Sequence, residues 1–177
     1  MAKIQTFAEI IPPQGGRIHI VRVLVDPARD WQEAMKVIGV GSSKDQPGST
    51  PQSREMYEAG RYYPPQLGLI KERDVILMTF GMSVCDPQPA IDWGKDQKLR
   101  STNPREWLAL VEHKPKLNYE IGMHFMSAIS PEMCPFLENR HIWFRALYCD
   151  RTRDCGLRWH GGTRKDDFYW FTFVRES

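Results

Sequence analysis

Phe168-Tyr169-Trp170-Phe171-Thr172-Phe173-Val174, close to the C-terminus, is the stretch on which the fold turns. Successive side chains of a β-strand point to opposite faces. Tyr169, Phe171 and Phe173 therefore share one face, and Phe168, Trp170 and Val174 share the other. Both faces are apolar. A strand of this kind lies inside a sheet that is covered on both sides. The cover comes from helices of the same chain, from a second copy, or from a ligand, and the chain's own helices are the first candidates.

The surroundings repeat the theme. Residues 141 to 175 hold nine of the twenty aromatic residues, interleaved with Arg145, Arg151, Arg153, Arg158, Arg164, Lys165 and Arg175. In Cys155 to His160 the residues Cys155, Leu157 and Trp159 alternate with Gly156, Arg158 and His160, the pattern of a half-buried strand. Aromatic residues beside cations suit single-stranded nucleic acid, where bases stack and phosphates pair. Charge counting opposes that reading. Residues 141 to 177 carry seven basic and five acidic side chains, and the remaining 140 residues are balanced. The electrostatic footprint of a polyanion binder is weak, and nucleic acid is not an expected partner.

Upstream, Arg17 to Val25 reads as a strand. Asp30 caps a helix with Glu33 in the capping-box position, and Trp31, Ala34, Met35 and Ile38 form its apolar stripe before Gly39. Residues 1–16 are read as irregular. Residues 40–68 are read as a long surface loop, with Gly, Ser, Gln and Pro concentrated in 40–66 and Tyr62-Tyr63 near its end. Asp74 to Phe80 is a buried strand. Asp86-Pro87 starts a helix through Ala90, Ile91 and Trp93, weakened by Gly94. Asn103-Pro104-Arg105-Glu106 starts another by a capping box, with Trp107, Leu110 and Val111 on its inner face and an end before Pro115. Strands are expected at 124–129, 141–149, 155–160 and 167–174, with Gly161-Gly162 turning into the last. Helices fall early and strands late. The expected fold is α+β: a single domain, 1–177, with a mostly antiparallel sheet, about three helices packed on it, and an all-β C-terminal third.

The bulk properties are ordinary. The chain has 177 residues and a net charge of +2, with 41% hydrophobic and 26% charged residues. This is enough for a core without staples. No apolar run approaches the roughly 18 residues of a membrane helix, and no signal-peptide core precedes Glu9, so no membrane partner and a cytoplasmic location are expected. Cys85, Cys134, Cys149 and Cys155 are read as free thiols in a reducing compartment. Cys149 and Cys155 flank a five-residue hairpin loop and are placed to face each other, so their bonding is left open. With no CxxC or HxxxH spacing, and with Cys155 and His160 on opposite faces of their strand, neither metal nor cofactor is expected.

One polar cluster stands out. Glu112-His113-Lys114-Pro115-Lys116 follows a helix C-terminus, where cations are favoured. His113 and Glu112 are candidates for acid–base work in a cleft between helix and sheet, with loop 40–66 as a lid. Their bland reading is a capping histidine beside solvated charges. No hydrolase, P-loop, zinc-protease or dinucleotide motif is present.

Several stretches recur together: Asp30-Trp31-Gln32-Glu33-Ala34-Met35, Tyr63-Pro64-Pro65, Val75 to Phe80, Asn103 to Glu106 running into Glu112 to Leu117, Met123, and the terminal strands with Leu157-Arg158-Trp159. In this spacing the chain resembles, over roughly 24–175, a group of short uncharacterised proteins from environmental bacterial genomes. The resemblance implies a small, soluble, freestanding bacterial protein and supplies no activity, cofactor or catalytic residue. The leading expectation is thus a cytosolic binding protein that uses its aromatic C-terminal sheet, as a homodimer or on another ligand, with Trp143, Arg145, Arg158, His160 and Tyr169 as the surface. The rival is an enzyme of unknown reaction at His113 and Glu112.

Overall fold

The computed structural model describes residues 9–38, 60, 64–82, 88–122, 125–129, 136–138, 141–149, 155–160 and 169–175. Most of loop 40–66, Gly161-Gly162 and Phe168 lie outside them.

The architecture is α+β. The strands are β1 (Arg17–Val25), β2 (Lys71–Thr79), β3 (Leu99–Ser101), β4 (Phe125–Ile129), β5 (Phe136–Glu138), β6 (His141–Cys149), β7 (Cys155–His160) and β8 (Tyr169–Arg175). Among the described residues the helices are α1 (Trp31–Ile38), α2 (Gln88–Asp96), α3 (Pro104–His113) and the single turn α4 (Leu117–Glu120). The sheet runs β1-β2-β8-β4-β6-β5, with β3 also on β8 and β7 also on β6. Among the described residues every pairing is antiparallel except β4 with β8.

The C-terminal strand is thus central, flanked by β2 on one edge and by β3 and β4 on the other. Its two faces lie in two separate apolar clusters, as its alternation requires. Trp170 and Val174 join Val75 and Leu77 of β2, Val21 and Val23 of β1, and the buried residues of α1 and α3. Phe171 and Phe173 join Ile76 and Met78 of β2, Ala90 of α2, Leu99, and Ile10 from the segment before β1. Helices of the same chain cover β8 on both sides. The sheet is the middle layer, with α1 and α3 above it and α2 with the N-terminal segment below.

Local sequence explains each helix. The α1 stripe Trp31, Ala34, Met35 and Ile38 is buried. Asp30 Oδ1 accepts from Glu33 N–H at 2.9 Å. The reciprocal half of that capping box differs from expectation, because the Glu33 carboxylate pairs with Lys36 Nζ one turn on. At α3 the box is complete: Asn103 Oδ1 accepts from Glu106 N–H, and Glu106 Oε2 accepts from Asn103 N–H, each at 2.9 Å. The segment before β1 is irregular yet anchored. Ile11 N–H donates to Gln97 Oε1, and Trp93 Nε1 donates back to the Ile11 carbonyl. That clasp holds Ile10 in the lower cluster.

Three elements were not foreseen: β3, β5 and the turn α4. In addition, β2 begins three residues earlier than the expected Asp74, at Lys71.

Gly94 has a packing reason. A Cβ there would lie 2.5 Å from Cε1 and 2.9 Å from Cδ1 of Phe173. The Phe173 ring is buried and meets Trp93 edge-on, with centroids 5.4 Å apart. Gly94→Ala should gain about 1 kcal/mol of helix propensity and lose about 1–3 kcal/mol to overpacking. We expect net destabilisation, read as a lower urea midpoint. A raised midpoint would show that glycine is only a weak helix residue here.

Candidate functional site

Two regions concern function: the outer sheet and a cleft at the end of α3.

In the outer sheet, β6 pairs with β7 from Phe144↔His160 through Arg145↔Trp159, Ala146↔Arg158 and Leu147↔Leu157 to Cys149↔Cys155. It pairs with β4 on Met126↔Cys149, and β4 pairs with β8 on Met126↔Trp170. Directly paired residues share a face. Cys149, Cys155, Met126 and Trp170 are therefore on one face of the sheet. Alternation along β6 adds Leu147, Arg145 and Trp143 to it, and β7 adds Leu157 and Trp159. Arg158 and His160 pair with residues of the opposite parity. Tyr169 alternates with Trp170. These three are on the other face.

The five residues expected to form one surface are thus divided. Trp143 and Arg145 share the face on which α1 and α3 pack farther along the sheet. Arg158, His160 and Tyr169 share the face of α2. Alternation along one strand can be read from its sequence, but the relation between strands depends on register, which no single strand displays.

The cleft lies where β1 turns into α1 beneath the end of α3. Its volume is ≈ 50 Å³, and its lining includes Leu24, Asp26, Arg29, Arg105, Leu108 and Glu112. Arg29 grips Glu112 with Nη2 at 2.9 Å and Nε at 3.2 Å from Oε1. Arg105 Nη1 donates to the Arg29 carbonyl at 2.7 Å. The hydrogen bond to Glu112 raises the Arg29 pKa above its ordinary value. Burial lowers that of Arg105, with Asp26 and Asp30 opposing the shift. Two guanidiniums and two carboxylates balance here, and the space holds a few water molecules at most.

Of the two acid–base candidates, Glu112 lines this cleft and His113 does not. His113 is exposed in the last turn of α3, and the next N–H, of Lys114, closes the helix on the Leu110 carbonyl at 2.9 Å. Glu112 is engaged by Arg29, so the geometry gives it a fastening role: it ties the β1–α1 connection to α3. Replacing Arg29 and Glu112 singly and together, as Arg29→Met and Glu112→Gln, should show a coupling of about 1 kcal/mol, since both side chains are partly exposed. A coupling of zero in a denaturation cycle would remove that role. Arg29 and Arg105 were not foreseen. They lie 83 and 76 residues from the partners they hold, and no local pattern marks them.

Among the described residues no helix is long and apolar enough to cross a membrane, and no group of three or more His, Cys, Asp or Glu is placed to hold a metal. No protein-family model, curated protein or solved structure matches the chain.

Proposed function

We propose that this chain is a small soluble cytoplasmic binding protein of bacterial type, and that it pairs with a second copy of itself through the outer part of its sheet. The C-terminal third is read as all-β, the whole as one domain. The observation that carries the reading is the register of β6 and β7, which gathers Trp143, Arg145, Leu147, Leu157 and Trp159 on one face. In strand order this patch lies two strands beyond β8, whereas the main helix contacts with that face run to β1 and β2. Aromatic residues and arginine are the types that dominate interface energetics. A net charge of only +2 opposes self-association little.

Native mass measurement and light scattering across a concentration series test it. A dimer is expected, and Trp159→Glu should weaken it by about 10- to 100-fold, the loss of one central interface residue. A monomer at every concentration, with wild type and variant alike, would overturn the reading.

The enzyme alternative at His113 and Glu112 draws on Glu112 lining the cleft. It ranks second because Arg29 occupies that carboxylate and the volume is too small for a substrate. Single-stranded nucleic acid would use the opposite face, with Arg158, His160 and Tyr169, and ranks third on charge.

A further inference from the structure

We infer that Cys149 and Cys155 are a thiol–disulfide exchange site, closing reversibly to a cross-strand disulfide by reaction with a low-molecular-weight disulfide. The two residues are direct register partners at the loop end of the β6–β7 hairpin. Opposed residues of an antiparallel pair have Cα atoms about 4.5–5.5 Å apart. A disulfide needs about 4.4–6.8 Å. The bond therefore fits the backbone as it stands, in either kind of ladder position. The register runs through six consecutive rungs, from Phe144↔His160 to Cys149↔Cys155. A slip of one residue would move every side chain of the strand to the other face. His160 falls on the opposite face from both cysteines, so the register does not assemble a two-cysteine, one-histidine metal site from these residues. The loop between the cysteines is five residues long. A bond closing so short a loop constrains little of the unfolded chain, which suits a reversible site better than a structural staple.

The chemistry balances. One cysteine thiolate attacks the small disulfide, forming a mixed disulfide and releasing one small thiol. The second cysteine thiolate attacks the protein sulfur of that mixed disulfide and releases the other small thiol. Two protein thiols are oxidised, one small disulfide is reduced to two thiols, and the protein loses two hydrogens. The site does not rest on the proposed dimer.

The test uses the full chain in buffers of reduced and oxidised glutathione, quenched with an alkylating agent and digested with trypsin. Cleavage after Arg145, Arg151, Arg153 and Arg158 places Cys149 in peptide 146–151 and Cys155 in peptide 154–158. Under oxidising conditions the two peptides should appear joined, two hydrogens lighter than their reduced sum and without either alkyl label. Excess reduced glutathione should separate them. The joined fraction should be larger in the native protein than in urea, because the register and not mere sequence proximity sets the distance. Cys155→Ser should leave peptide 146–151 labelled or carrying glutathione. Peptides that stay separate, bonds from Cys149 or Cys155 to Cys85 or Cys134 instead, or equal joining in urea would each overturn the inference.

Discussion

Replacing Phe173 with alanine is expected to lower the unfolding free energy by about 3–5 kcal/mol, the range for removing a large buried aromatic. For a chain of this length that corresponds to a fall in melting temperature on the order of 10 °C. Phe173 is 1% exposed. Its register partners are Ile76 in β2 and Ser101 in β3, so it sits in the middle of the sheet. On its own face it fills the notch left by Gly94 in α2 and meets the Trp93 ring. Neither neighbour can collapse into the space. Glycine has no side chain to offer, and Trp93 is held by its bond to the Ile11 carbonyl. The loss should therefore include most of the cavity term.

The informative comparison is with Trp170→Ala. Trp170 belongs to the opposite cluster, with α1 and α3, and Arg17 stacks over its ring at 5.4 Å. If β8 is the middle of three layers, both variants should be severely destabilised. If one face of the strand were free for a partner, the substitution on that face would cost far less in the isolated monomer. Urea denaturation of both variants decides the matter. One variant within about 1 kcal/mol of wild type would be the size of a surface change and would overturn the three-layer packing.

These clusters show what a lone sequence can display. The two-faced pattern of β8, the stripe of α1 and the box at Asn103 and Glu106 are local: each repeats within a few residues and needs no knowledge of a distant segment. Hence the strands at 141–149 and 155–160 agree with the structure to the residue. β3 has only three residues, too few to show a period. It is a strand because Lys98, at φ 56°, turns the chain out of α2 and lays it along the far end of β8. Gly94 read as a flaw in a helix, since its reason is a ring 79 residues away. The candidate surface was legible by strand and illegible by sheet. Residue types picked out Trp143, Arg145, Arg158, His160 and Tyr169, but their division between two faces follows from the register of β6 with β7 and, for Tyr169, from the pairings of β6 with β4 and of β4 with β8.

Glu106→Ala should cost about 2–4 kcal/mol, a large effect for a charged residue. Glu106 is 3% exposed, and its carboxylate does three things at once. It accepts from the Asn103 N–H and so closes the capping box. It takes a two-pronged bond from Arg100, Nη2 to Oε1 at 2.7 Å and Nη1 to Oε2 at 2.8 Å. It also lies 4.0 Å from Arg73 of β2. The site thus ties the start of α3 to β3 and to β2. Alanine removes the cap, leaves a void, and takes from Arg100 its carboxylate partner, while the bond of Arg100 Nη1 to the Ser101 carbonyl stays. Arg100 is 38% exposed, which tempers the penalty below that of a fully buried pair. Glu106→Gln separates the contributions. It keeps an acceptor for the cap and loses the charge, so it should retain α3 and cost less than alanine. A third variant, Glu106→Leu with Arg100→Met, removes both charges and fills the space. Buried ion pairs replaced by well-packed apolar groups are often neutral, so this double variant should be more stable than Glu106→Ala alone. Denaturation midpoints of the three order them. If Glu106→Ala were as mild as an ordinary surface substitution, α3 would be held by its buried apolar face and by the Arg29–Glu112 pair, and the Glu106 carboxylate would be incidental to the fold.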